Sequence, residues 1–266
     1  PIALVQRHSK RQGAPMIASL MMYARPELEA AHSRLWASLR TALGQRGIEA
    51  PVALSQAAPP FEVWESPQLI LSQTCGMPYR TQLQGRVKLV GTPDYQLEDC
   101  PAGHYRSAIV VRADDPREML GAYADARLAY NAQHSQSGFA ALYNHAAPSG
   151  IWFQKRIESG AHLASARMVA QGQADIAALD GQTWRLIQRY EGWAAKLRVL
   201  EFTAPTPGLP LITGLAQDAE LVFEAAAEAF DALSSQNAAA LDLHGLIRIP
   251  KEAYFAVPNP AESALS

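Results

Sequence analysis

Short apolar runs alternate with amphipathic stretches along most of the chain. Met16–Tyr23 (MIASLMMY) is a compact apolar run, and the residues after it, up to Gly47, place their apolar side chains at helical spacing. That pattern predicts a buried strand followed by a helix, the opening of an α/β unit. Pro26 falls in the first helical turn, where its missing N–H costs nothing, and Glu27 and Glu29 suit the positive helix start. Gln68–Gln73 and Arg86–Gly91 read as further short strands, with TCGMPYRTQLQ between them as a loop holding one helical turn.

Tyr105–Arg112 (YRSAIVVR) is rich in β-branched residues and stops at Asp114-Asp115-Pro116, a sequence suited to capping a helix over PREMLGAYA. The middle third repeats the alternation: strands near Arg127–Tyr130, Ile151–Arg156 and Asp175–Leu179, with helices over Gln136–His145 and His162–Gln171. Leu197–Phe202 is one more strand, and TAPTPGLPLITG leads through Pro and Gly into an Ala-rich helix, Gln217–Leu233. Strands alternating with helices predict a mainly parallel sheet covered on both faces. The two extended segments that flank the middle third, near 105–112 and 205–213, read as crossings between two lobes. The expected architecture is therefore α/β and two-lobed: residues 1–110 with 205–266 form one lobe, and residues 111–204 form the other. Loops at the carboxyl ends of the strands would then face an interlobe cleft, the usual ligand position in open α/β sheets.

Composition narrows the partners. With 48% hydrophobic and 18% charged residues the 266-residue chain can bury a sizeable core. Lys and Arg number 23 against 25 Asp and Glu, a formal charge of -2, which is too balanced for the basic field that phosphate-backbone binding needs. Nucleic acid is not an expected partner. No apolar run approaches the roughly 18 residues of a membrane span, so membrane insertion is not expected, and Pro1–Gly13 is polar rather than an apolar signal core. The chain contains no CxxC, HExxH or zinc-spaced Cys/His cluster, so neither a metal nor another cofactor is expected.

Chemistry concentrates in two segments. In His134-Ser135-Gln136-Ser137-Gly138-Phe139, Ser135 or Ser137 caps a helix and Gly138 lets another group approach the backbone, so free N–H groups and the helix dipole favour an anion. An ordinary helix cap beside a small residue accounts for the same letters. In the second segment His162 opens a helix, and Asp180 ends a strand with Trp184 one turn into the next helix. Asp180 is placed to accept from an ammonium group or from the acidic proton of a partly protonated anion, or simply to cap GQTWRLIQRY. Cys75 and Cys100 leave three readings: a disulfide, two structural thiols, or a reactive Cys75 with His104 or His162 as its base. Among the aromatics Trp64, Tyr79, Tyr95, Trp152 and Trp184, most are expected to be packing; Trp184 is the one expected to wall the cleft with Tyr23.

The order of these segments resembles the phosphate/phosphite/phosphonate-type solute-binding proteins of ABC uptake systems. SQSGF at 135–139, SGAHLASARMVAQGQADIAALD at 159–180 and the hinge-like YRSAIVVRADDP at 105–116 carry the likeness, which extends over roughly residues 16–250. QTCGMP at 73–78 departs from the family's usual wording. The resemblance implies a type II periplasmic-binding-protein fold, a small oxyanion or phosphonate-like ligand, a periplasmic location and an ABC permease as partner. It also implies ligand contacts at Tyr23, Ser135, Ser137, His162 and Asp180, beside which Gly138 is a ligand-binding candidate from its own segment. An enzyme on the same scaffold, using Cys75 or His162, and a ligand-sensing protein are the alternatives that the fold allows.

Overall fold

The structure, a computed structural model, describes residues 15–265; the polar stretch Pro1–Gly13 lies outside them. Two five-stranded sheets form two lobes. The first sheet has the order β1-β2-β11-β3-β12, from β1 (Ile17–Ser19), β2 (Leu69–Gln73), β3 (Val87–Asp94), β11 (Leu211–Gly214) and β12 (Gly245–Ile247). The second has the order β7-β6-β8-β5-β9, from β5 (Ser107–Arg112), β6 (Arg127–Tyr130), β7 (Lys155–Glu158), β8 (Ile176–Asp180) and β9 (Leu197–Phe202). Between the lobes β4 (His104–Tyr105) and β10 (Thr206–Pro207) pair antiparallel, so the two crossings support each other as a hinge.

The helices follow from local sequence. In α1 (Glu29–Gln45), Ala31, Leu35, Trp36, Leu39, Ala42 and Leu43 form one buried stripe, and the chain leaves through Gly47 at φ 74°, where a Cβ would be strained. That stripe meets α7 (Ala219–Asp231), whose first amides are capped by Asp218 and whose Val222, Ala225, Ala226 and Ala229 are buried in the same core. Two short helices, α2 (Pro60–Trp64) and α3 (Gly76–Thr81), flank β2; α8 (Ser235–Leu241) and α9 (Lys251–Phe255) complete the first lobe's helices. In the second lobe a π turn, Gln136–Ala140, runs into α4 (Ala141–Ala146). There α5 (His162–Ala170) and α6 (Gly181–Tyr190) bracket β8, a five-residue run buried throughout.

Three expectations need correction. The sheets are mixed rather than mainly parallel: β11 is antiparallel to both β2 and β3, and β5 is antiparallel to both β8 and β9. Each of these strands has arrived from the other lobe and enters its sheet from the hinge end, against strands that start at the far end; the edge strand β12 is reversed as well. Asp114-Asp115-Pro116 starts no α-helix. Asp115 turns back on Arg117, accepting from its amide and Nε at 3.0 Å and from Nη2 at 2.6 Å, and only a 3-10 turn, Leu120–Tyr123, follows. Of the three cysteine readings the disulfide is absent: Cys75 is a buried free thiol and Cys100 a half-buried one.

The carboxyl-terminal segment also reaches the second lobe. The Pro258 carbonyl accepts from Asn144 Nδ2 at 2.9 Å and the Leu265 carbonyl from Gln133 Nε2 at 2.7 Å. The junction of β8 and α6 is the tightest backbone approach beside the hinge, since a Cβ on Gly181 would lie 2.6 Å from the Arg106 carbonyl oxygen. Gly181→Ala is therefore expected to lower stability by about 1–3 kcal/mol, seen as a lower urea midpoint at unchanged slope. A wild-type midpoint would contradict that close approach.

Candidate functional site

A cavity of about 180 Å³ opens between the lobes at the carboxyl ends of β1, β2, β6, β7 and β8. The first lobe contributes Met22 and Tyr23 from the turn after β1, Pro60, Cys75 after β2, and Leu209. From the second lobe come Asn131, Ala132, His134, Ser135 and Ser137 after β6, Gly160 and His162 after β7, and Asp180 and Thr183 after β8. The site is thus built from strand ends, where the chain turns and side chains are free to converge.

Asp180 is the most constrained of these residues. As the N-cap of α6 it accepts at Oδ1 from the Thr183 amide at 2.8 Å, while Oδ2 accepts from the Tyr23 hydroxyl at 3.1 Å across the interlobe gap. It is only 2% exposed. Burial pushes its carboxyl up to about 6, although both hydrogen bonds favour the charged form. Tyr23 is pushed upward too, first by burial and then by the neighbouring carboxylate, and so stays a hydroxyl donor. Its ring is braced edge-on by Tyr95, centroids 5.0 Å apart.

Opposite lies a serine–histidine wall. Ser137 Oγ and His162 Nε2 are 2.8 Å apart, and either can donate. Burial lowers the imidazole to about 4, with the Ala178 carbonyl pulling weakly the other way, so His162 is neutral at ordinary pH. Ser135 caps the helix by accepting from the Gly138 amide at 3.0 Å. The helix start is not the open amide cradle the sequence suggested: the Gln136 amide donates across the gap to Cys75 Sγ at 3.2 Å. Burial raises the Cys75 thiol above its usual range. A protonated, hydrogen-bonded thiol is a poor nucleophile.

The structure brings Tyr23, Ser135, Ser137, His162 and Asp180 to one cavity. Gly138 lies behind the wall: a Cβ there would be 1.9 Å from Asn131 Oδ1 and 3.1 Å from His162 Cε1, so its role is to let those two side chains close on the helix. Trp184 is not a wall residue, because it is buried in the second lobe's core with Leu179 and Ile187. The helical spacing from Asp180 was right, but the face points inward. Sequence reasoning passed over Asn131, His134 and Thr183. Asn131 directly follows β6, and Thr183 stands three residues after a capping aspartate, so both carried a readable positional signal.

Two mixed lobes on paired crossings, with a polar pocket at the strand ends between them, define a binding protein of the two-lobed periplasmic kind. Residues 73–254 match the family described as ABC transporter, phosphonate, periplasmic substrate-binding protein, and the chain belongs to that family. Solved structures agree on the fold. PhnD1 from Prochlorococcus marinus, solved with methylphosphonate, is 12% identical at a TM-score of 0.70, over 90% of this chain and 94% of that one. A Xanthomonas citri protein bound to chloride ion is 14% identical at 0.66, over 90% and 92%. A binding protein component of an ABC phosphonate transporter from Pseudomonas aeruginosa is 16% identical at 0.62, over 87% and 80%. No curated protein sequence matches the chain.

The two buried ionisable groups act on stability in opposite senses. The native pKa of Asp180 lies above its ordinary 3.8, so its contribution is full below that value and is lost as pH rises through about 6. His162 lies below its ordinary 6.5, so its contribution is present above 6.5 and is lost as pH falls toward about 4. Between those values the two slopes oppose. His162→Gln is expected to leave stability falling as pH rises through this window, and Asp180→Asn to leave it rising. Denaturant melts of both variants across the window decide; slopes equal to wild type in both would remove the shifts. Thiol titration gives a second check. Cys100 is expected to react first in the native protein and Cys75 only on unfolding; fast reaction of Cys75 would contradict its burial.

Proposed function

We propose that the cavity captures a small phosphonate-like oxyanion still carrying a proton or an ammonium group, for delivery to an ABC permease outside the cytoplasmic membrane. The observation that carries this reading is Asp180 itself, a buried carboxyl set in the same small cavity as Ser137 and His162. Among the described lining residues no Lys or Arg offsets it. A fully deprotonated dianion would meet the carboxylate with no proton to share, whereas a hydrogen phosphonate donates its P–OH to Asp180 and accepts from Ser137 and His162. The methylphosphonate in the Prochlorococcus relative and the family's periplasmic setting support the ligand class and the compartment. The moving units in this reading are the two sheets with their helices, β5 (Ser107–Arg112) lying wholly in the second, turning about the β4–β10 pair.

Titration calorimetry with methylphosphonate, phosphate, aminomethylphosphonate and sulfate tests the reading. Wild type should bind the hydrogen-bearing or amine-bearing anions and discriminate against sulfate. Ser137→Ala should weaken binding by about 1–3 kcal/mol, the range for a buried hydrogen bond to a charged group. Asp180→Asn should reorder the series toward sulfate. Affinities unchanged across the set would remove both residues from the site.

A further inference from the structure

Outside the cavity, one helix carries a row of contacts from the second lobe to the first. Gln182, Arg185 and Arg189 of α6 stand on one stripe at helical spacing. Gln182 Nε2 donates to Asp242 Oδ2 at 2.9 Å, and Arg189 Nη2 pairs with Asp242 Oδ1 at 2.7 Å. Arg185 donates to the Tyr95 carbonyl at 2.9 Å and to the Gln96 carbonyl at 3.2 Å. One residue past the helix, Glu191 accepts from Arg25 Nη2 at 2.8 Å, and Trp193 Nε1 holds its other oxygen at the same distance.

The receiving backbone is strained at these places. Among the described residues the non-glycine positions at positive φ are Gln96 at 43°, Asp99 at 56° and Asp242 at 50°. Two of the three meet α6: Gln96 presents its carbonyl to Arg185, and Asp242 presents its carboxylate to Gln182 and Arg189. The third pairs with Arg106 at 3.1 Å, the residue whose carbonyl faces Gly181 at the helix start. Asp242 is also the residue that ends α8, in the left-handed conformation where helices favour glycine. An aspartate there opposes the local backbone preference, and such strain persists where the surroundings impose it.

We propose that Asp242 and the Tyr95–Gln96 carbonyls form a latch for α6, making Asp242 and Arg185 positioning residues that set how long the lobes stay together. Because Asp180 caps this helix, seating α6 on the first lobe also fixes the carboxyl in the cavity. The ligand half of this inference rests on the proposed binding function; the interlobe half does not.

Asp242→Gly separates the latch from a merely structural role, since glycine suits the backbone yet removes the carboxylate. Asp242→Gly and Arg185→Ala should each release methylphosphonate about tenfold faster in stopped-flow tryptophan fluorescence, the loss expected for a charged hydrogen bond. Asp242→Gly should keep or raise the thermal midpoint. Small-angle scattering without added ligand should give both variants a larger radius of gyration than wild type. Wild-type release rates with a wild-type radius overturn the latch, as does faster release accompanied by a lower midpoint in Asp242→Gly and an unchanged radius. If wild type binds no methylphosphonate, the ligand reading fails and scattering alone decides: a larger radius supports the latch, an equal one overturns it.

Discussion

The hydrogen bond from the Tyr23 hydroxyl to the Asp180 carboxylate joins the two lobes through side chains that both line the cavity. The same carboxylate caps α6, so interlobe contact, helix start and pocket chemistry meet in one side chain. Burying it without a cationic partner holds it near the point where it shares a proton. In the proposed binding mode the selection follows from that constraint: a neutral imidazole and hydroxyls stand on one wall, and a carboxyl with a raised pKa on the other.

The fold delivers this arrangement by a simple rule of chain direction. The strands β1, β2, β6, β7 and β8 end at the cleft, and the loops after them supply most of the cavity wall. Strands that arrive from the other lobe run in reverse and place no wall residue at their far ends. Short buried strands such as IAALD are held by their backbone ladders and apolar side-chain packing, which leaves their terminal residues free for polar work. Direct contacts from α6 and from the carboxyl-terminal segment then hold one lobe against the other.

Much of this was legible from residue order. The apolar run IAAL followed by Asp180, and the Ser-rich turn after RLAY, located β8, β6 and three residues of the cavity wall, Ser135, Ser137 and Asp180. Strand direction was not legible, because alternation of strands and helices reads the same whether or not a crossing strand is threaded between its neighbours. Trp184 was misplaced for a related reason: helical spacing fixes the angle between side chains but not which face meets the core. The thiol of Cys75 as acceptor for Gln136, 61 residues away, depends on lobe placement that no local pattern encodes.

The central claim is that Asp180 shares a proton with the bound oxyanion. Calorimetry of methylphosphonate binding at mildly alkaline pH, in buffers of different ionisation enthalpy, measures it directly. The account predicts net proton uptake on binding in wild type and its loss in Asp180→Asn. Binding of methylphosphonate with no proton uptake in wild type would contradict it.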